Sequence, residues 1–171
     1  SNPLIPLHLF RNRSFSGINL MTLVLYIGLG APFFFLTLNL QQIQGYSAAQ
    51  AGLATLPIAL SLFVLARLVG GLSDRMGPMP FLASGTLLIT VSFFLYRLPT
   101  FPESYWTSYF PAILLNGIGL GLMVVPLTVI ALGSLPKRYS GIASGFNNAV
   151  SRVSQMLSIA VFGVVMARTF T

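Results

Sequence analysis

The chain has 171 residues, 55% of them hydrophobic and only 6% charged, with nine Lys/Arg, two Asp/Glu and no cysteine. A soluble domain carries about a quarter charged residues, so charge this sparse cannot cover a water-soluble fold, and a bilayer is the solvent that resolves the deficit. The net charge of +7 comes from bases scattered singly between apolar runs, which excludes a basic stripe for nucleic acid, and the lack of cysteine excludes disulfides, thiolate chemistry and Cys-based metal sites.

The chain begins Ser-Asn-Pro, has no cleavable signal pattern, and reads as an internal segment of something longer. A bilayer core needs about 20 apolar residues per helix, and five segments qualify: 15–38, 49–71, 80–96, 106–132 and 141–167. The runs are too long, and lack the alternation, for strands of a membrane barrel. Short, turn-rich connections make consecutive helices antiparallel neighbours. The expected fold is therefore an all-α membrane protein with five transmembrane helices.

The first segment carries a stripe of Asn19, Thr22, Tyr26, Gly30, Phe33 and Thr37, continuing to Gln41. Tyr26, Phe33 and Thr37 are substrate-cavity candidates, since amphipathic aromatics suit apolar, aromatic or cationic ligands. The same spacing also fits plain packing. The second segment ends in Gly70-Gly71-Leu72-Ser73-Asp74-Arg75-Met76-Gly77-Pro78, and Asp74 is one of the two acids. Its carboxylate can sit against the positive end of the next helix, or pair with Arg75 or Arg67. Gly77 can supply a left-handed turn and Pro78 can open the following helix.

The fourth segment offers Asn116 and Met123 as weaker cavity candidates, beside Gly117 and Gly121. Small-xxx-small steps at Gly117/Gly121, Gly141/Gly145 and Ala66/Gly70 predict close helix approach in lipid. The fifth segment is the least lipid-like. Ser144, Asn147, Asn148, Ser151, Arg152, Gln155 and Ser158 recur at spacings of three and four and form one polar stripe. Arg152 lies roughly 16 Å along this helix, where insertion costs on the order of 2.5 kcal/mol or more. It therefore faces water, a partner or a ligand. One reading starts the helix later and lets Arg152 snorkel or pair with an acid elsewhere. The other lines a central cavity with Asn148, Arg152 and Gln155, drawing anionic or polar groups of a substrate.

Charge counting gives an orientation. With the N-terminus inside, Arg11, Arg13, Arg67, Arg75, Lys137 and Arg138 face the cytoplasm, and only Arg97 and Arg168 face out. The C-terminus is then outside.

Gly-x-Leu-x-Asp-Arg-x-Gly, filled here by Gly70, Leu72, Asp74, Arg75 and Gly77, resembles the motif between the second and third helices of each half of major facilitator superfamily transporters. Pro78 and Met79 stand where the motif's trailing basic residues belong. Leu9-Phe10-Arg11-Asn12-Arg13-Ser14-Phe15-Ser16, Gln41-Gln42-x-Gln-Gly45-Tyr46-Ser47-Ala48-x-x-Ala51-Gly52, the following Leu56-Pro57, and Gly141-Ile-Ala143-Ser144-Gly145-x-Asn147 resemble the drug:proton antiporter branch with fourteen spans. The resemblance runs along essentially the whole chain. It implies that residues 1–171 form a partial C-terminal half: five helices of a six-helix half-bundle of the major facilitator fold, without the sixth span or the N-terminal half. It implies that the gating-loop motif works as a latch between access states. It also implies that the first, second, fourth and fifth spans line the cavity.

The expected function is secondary active export of drugs or other amphipathic compounds, coupled to protons, in a plasma membrane such as a bacterial inner membrane. Expected partners are membrane lipid, a small-molecule substrate, the N-terminal half of the same transporter, and a proton carried through that half, because no acid falls in any span. A carrier for a metabolite is the alternative, and a channel or structural membrane subunit a more remote one. Enzyme chemistry is not expected: the sole histidine, His8, precedes the first span, and the two distant acids form no dyad, metal site or cofactor site.

Overall fold

The structure is a computed structural model that describes residues 7–96 and 104–169. Every regular element among the described residues is helical. A 3-10 turn at Leu7–Arg11 leads into α1 (Arg13–Leu38), which passes into a π-helical turn at Asn39–Ile43. Then follow α2 (Ala48–Met76), α3 (Met79–Leu95), the single turn α4 (Tyr105–Ser108), α5 (Phe110–Gly133), a 3-10 turn at Lys137–Tyr139 and α6 (Ser140–Thr169).

The all-α membrane fold read from composition is the one found. Four helices, α1 with its π turn, α2, α5 and α6, are long and apolar enough to cross a bilayer. The fifth, α3, has 17 described residues, about 25 Å at 1.5 Å per residue and the lower edge of spanning length. Arg97 and the connection at 97–103 lie outside the described residues.

Side chains written at the helix starts fix where the helices begin. The Asn12 side chain accepts from the Ser14 and Phe15 N–H groups at 2.9 and 3.2 Å, capping α1. Ser47 and Gln50 cap α2 reciprocally, as the Ser-x-x-Gln pattern allows. Gly45 and Gly77 have φ of +73° and +81°, a backbone only glycine adopts without strain.

The apolar run places the end of the second span at 71, yet α2 continues to Met76. Two adjacent glycines do not stop a helix whose backbone has no water to bond to. The stop is Gly77, followed by Pro78 at the start of α3. Gly70, Leu72, Asp74 and Arg75 therefore lie on the last two turns of α2, and the connection shrinks to Gly77-Pro78.

The helices group into two compact units, residues 1–39 with 129–171, and residues 40–128. In the first unit α1 packs along α6. At its base Phe15, Leu9, Leu135 and Ala143 are buried together, and the Phe10, Phe15 and Phe146 rings meet with centroids 5.1–5.7 Å apart.

In the second unit α5 is gripped through glycines. A Cβ on Gly117 would lie 2.8 Å from the Ile58 Cα, and one on Gly121 would lie 2.7 Å from the Leu65 Cβ, so α2 and α5 touch backbone to backbone. Gly85 and Gly119, which carry no small-xxx-small signature, do the same for α3 and α5: a Cβ on Gly85 would lie 2.7 Å from the Gly119 carbonyl oxygen. The expected step at Gly141/Gly145 is a correction. Nothing lies within 4 Å of a Cβ built at either position.

Candidate functional site

The two polar stripes expected on the first and fifth spans face each other across the α1–α6 contact, and the structure divides each into a buried and an open part. On α1, Asn19 and Thr22 are buried. Their local bonds run back along the helix, Asn19 Nδ2 to the Phe15 carbonyl at 2.8 Å and Thr22 Oγ1 to the Ile18 carbonyl at 2.8 Å. Across the contact, Asn147 Nδ2 donates to Asn19 Oδ1 at 3.2 Å and to Thr22 Oγ1 at 2.9 Å. These residues tie the helices together. They are not exposed to a ligand.

Two turns further, α1 carries Gly30 and Pro32. A Cβ on Gly30 would sit 3.0 Å from the Gln155 Cα and the Ser158 Cβ, so the helices cross closely here. Ser158 is fully buried. Its hydroxyl donates to the Ile27 carbonyl and accepts from the Ala31 N–H at 2.8 Å. It is thereby inserted between the partners of one rung of the α1 ladder. Pro32, lacking an N–H, leaves the next rung unmade, and an inserted side chain beside a proline is a recognised cause of helix bending.

The open part is a cavity of about 470 Å³ lined by Tyr26 of α1 and by Asn148, Ser151, Arg152, Gln155, Met156 and Ile159 of α6. Asn148, Arg152 and Gln155 are exposed, and Tyr26 and Ser151 half-buried. Positions 148, 152, 155 and 159 follow one another by three or four residues and form a single face. No carboxylate is among the lining residues. Because α6 begins at Ser140, Arg152 stands about 18 Å along the helix. Four of the eight cavity candidates, Tyr26, Asn148, Arg152 and Gln155, thus come together. Met156 and Ile159 complete the wall and escaped the sequence reading, since an apolar residue on a membrane helix carries no signal that separates cavity from lipid.

The other four candidates lie elsewhere. Phe33 and Thr37 follow Pro32 on α1, both half-buried, with Thr37 Oγ1 bonded to the Phe33 carbonyl at 3.1 Å, and neither lines the cavity. Asn116 and Met123 belong to the second unit and are 1% and 3% exposed. Asn116 Nδ2 donates to Ser92 Oγ at 2.8 Å, and Met123 Sδ accepts from Thr86 Oγ1 at 3.6 Å. Both side chains are built into the α3–α5 contact.

The gating motif is on the surface of its unit. Leu72, Asp74 and Arg75 are exposed, and Gly70 makes ordinary contact with the Val125 side chain at 4.0 Å. Of the uses expected for Asp74, the ion pair with Arg75 or Arg67 is not formed. A second cavity, about 680 Å³, lies in this unit between Tyr46, Leu53 and Pro57 on one side and Tyr105, Trp106 and Phe110 on the other. It was not legible in the sequence, because its walls come from segments some fifty residues apart, as in the bond from Tyr105 Oη to the Ala54 carbonyl at 2.7 Å.

Comparison with known proteins follows the same outline. Residues 1–159 match the family model described as Major Facilitator Superfamily. The chain is 35% identical over 163 residues to the lincomycin resistance protein of Streptomyces lincolnensis, covering 95% of this chain and 34% of that protein. It is 32% identical over 175 residues to the tetracenomycin C resistance and export protein of Streptomyces glaucescens, covering 98% and 31%. It is 27% identical over 165 residues to the multidrug transporter protein MdtP of Bacillus subtilis, covering 96% and 30%. The chain thus spans roughly a third of the length of these relatives.

Proposed function

The chain belongs to the Major Facilitator Superfamily, and from that premise we propose that it is part of the C-terminal half of a longer carrier that exports drugs or other amphipathic compounds by alternating access. The observation that carries this reading is the α1–α6 wall. A guanidinium stands well along the polar stripe of a spanning helix, beside two amides and a tyrosine, around a cavity large enough for part of a drug-sized molecule. Relatives named for antibiotic resistance and export support the same substrate range.

In this reading the wall is one side of a site whose other side belongs to the rest of the carrier, and rocking of one half over the other exposes it to each side in turn. Proton coupling needs a titratable group in the pathway, and no carboxylate or histidine lines this wall. The coupling acid therefore comes from the remainder of the protein. The exposed Asp74 and Arg75, on the last turn of α2, make contacts in one access state and release them in the other. The membrane is a plasma membrane, with the start of the chain on its cytoplasmic side.

Export by the full-length protein in energised cells tests the proposal. Saturable efflux of at least one antibiotic or dye, abolished by a protonophore, is expected. Non-saturable flux would mean a pore, and no flux of any compound would end the export reading. Replacing Asp74→Asn should slow efflux severalfold and shift the accessibility of the cavity between the two sides. If both are unchanged, the latch role is lost.

A further inference from the structure

We infer that the α1–α6 wall selects amphiphiles bearing an anionic or strongly polarised oxygen, such as a carboxylate, enolate or sulfonate on an apolar ring body, over lipophilic cations. The inference rests on the export reading above and names the substrate class of the same cavity.

The lining is one-sided in charge. Arg152 offers donors only, in a planar fork that fits two oxygens of one ligand group. Asn148 lies one turn before it and Gln155 about one turn after it on the same face, each with an amide N–H₂ to turn toward an acceptor. Tyr26 and Ser151 add hydroxyls. No carboxylate lines the cavity, and among the described residues the guanidinium has no ion-pair partner. The remaining walls, Met156, Ile159 and the Tyr26 ring, are apolar and suit a ring body.

In the sequence, Tyr26 on its aromatic stripe suits a cation as well as an apolar ring, while Arg152 suits an anion. The fold brings the two into one cavity. Tyr26 shares its cavity with Arg152, so a cation stacked on that ring approaches a like charge. An anion there finds both the charge and the flanking amides.

The test uses the full-length carrier, purified and reconstituted, with three probes on one ring system: pyrenebutyrate, its neutral amide, and its trimethylammonium analogue. Wild-type protein should export the carboxylate most efficiently. Arg152→Gln should lower carboxylate export relative to the amide by about tenfold or more, the size expected for losing a charged hydrogen bond. Arg152→Lys should restore part of it. Equal loss of all three probes would make Arg152 structural and overturn the inference, as would a wild type that prefers the cation. Lipid headgroups carry anionic oxygens too, so the assay is run in zwitterionic vesicles with and without anionic lipid. Carboxylate export that persists with anionic lipid supports a free amphiphile, whereas its suppression assigns the site to a lipid and overturns the inference.

The two readings fail separately. Export of amide and cation without carboxylate leaves the export reading standing and removes the substrate class. If nothing is exported, the export reading falls, and probe binding to the purified protein, measured by anisotropy, still decides the class through the same Arg152→Gln comparison.

Discussion

Asn147 donates into the α1–α6 contact, while Asn148, about 100° further round the helix, lines the cavity. Periodicity put both on one polar stripe, and no property of an asparagine separates them. The division depends on which residues α1 presents opposite each position, and Asn19 and Thr22 are presented to Asn147. Asn147→Ala should therefore lower the stability of the full-length carrier by about 1 kcal/mol, in line with hydrogen bonds between membrane helices. Denaturant titration in detergent measures this. An unchanged midpoint would show that water or another side chain takes the place of the amide. Ser158 illustrates the same limit. Its place in the stripe was legible, but its insertion between Ile27 and Ala31 required the neighbouring helix.

At the scale of elements, the glycines of α5 and α6 behave in opposite ways although both fit the same spacing rule. Gly121→Ala forces a methyl to within 2.7 Å of the Leu65 Cβ and should cost about 1–3 kcal/mol through overpacking. Gly145→Ala meets nothing within 4 Å and should be neutral or stabilising by up to about 1 kcal/mol through helix propensity. Paired unfolding curves of the two variants check the contrast. A loss at Gly145 as large as at Gly121 would assign that face of α6 to a contact with the rest of the carrier. Helix existence and type were readable throughout, since long apolar runs in lipid have few alternatives to a helix. Helix ends were less so. The continuation of α2 to Met76 turned an expected loop motif into a helical one, because the stopping signal was the positive φ of Gly77 and not the glycine pair before it.

At the scale of the whole molecule, the proposed orientation makes a sharp prediction, and the absence of native cysteine makes it simple to test within this chain. In intact cells, a cysteine at Gln42 should react with a membrane-impermeant maleimide, and one at Lys137 should react only after permeabilisation. The reverse pattern would invert the topology. By itself the sequence determined that the protein lives in a membrane, that it is helical, and which family it belongs to, because these follow from composition, the length of apolar runs and motif text. It also brought forward Arg152, because a charge inside a segment of spanning length stands out without any structure. Only the tertiary structure decided which polar residues bind helices together and which line a cavity. The physical reason is that a polar side chain in lipid must find a partner. The sequence shows the need, and only the packing of α1 against α6 shows whether it is already met.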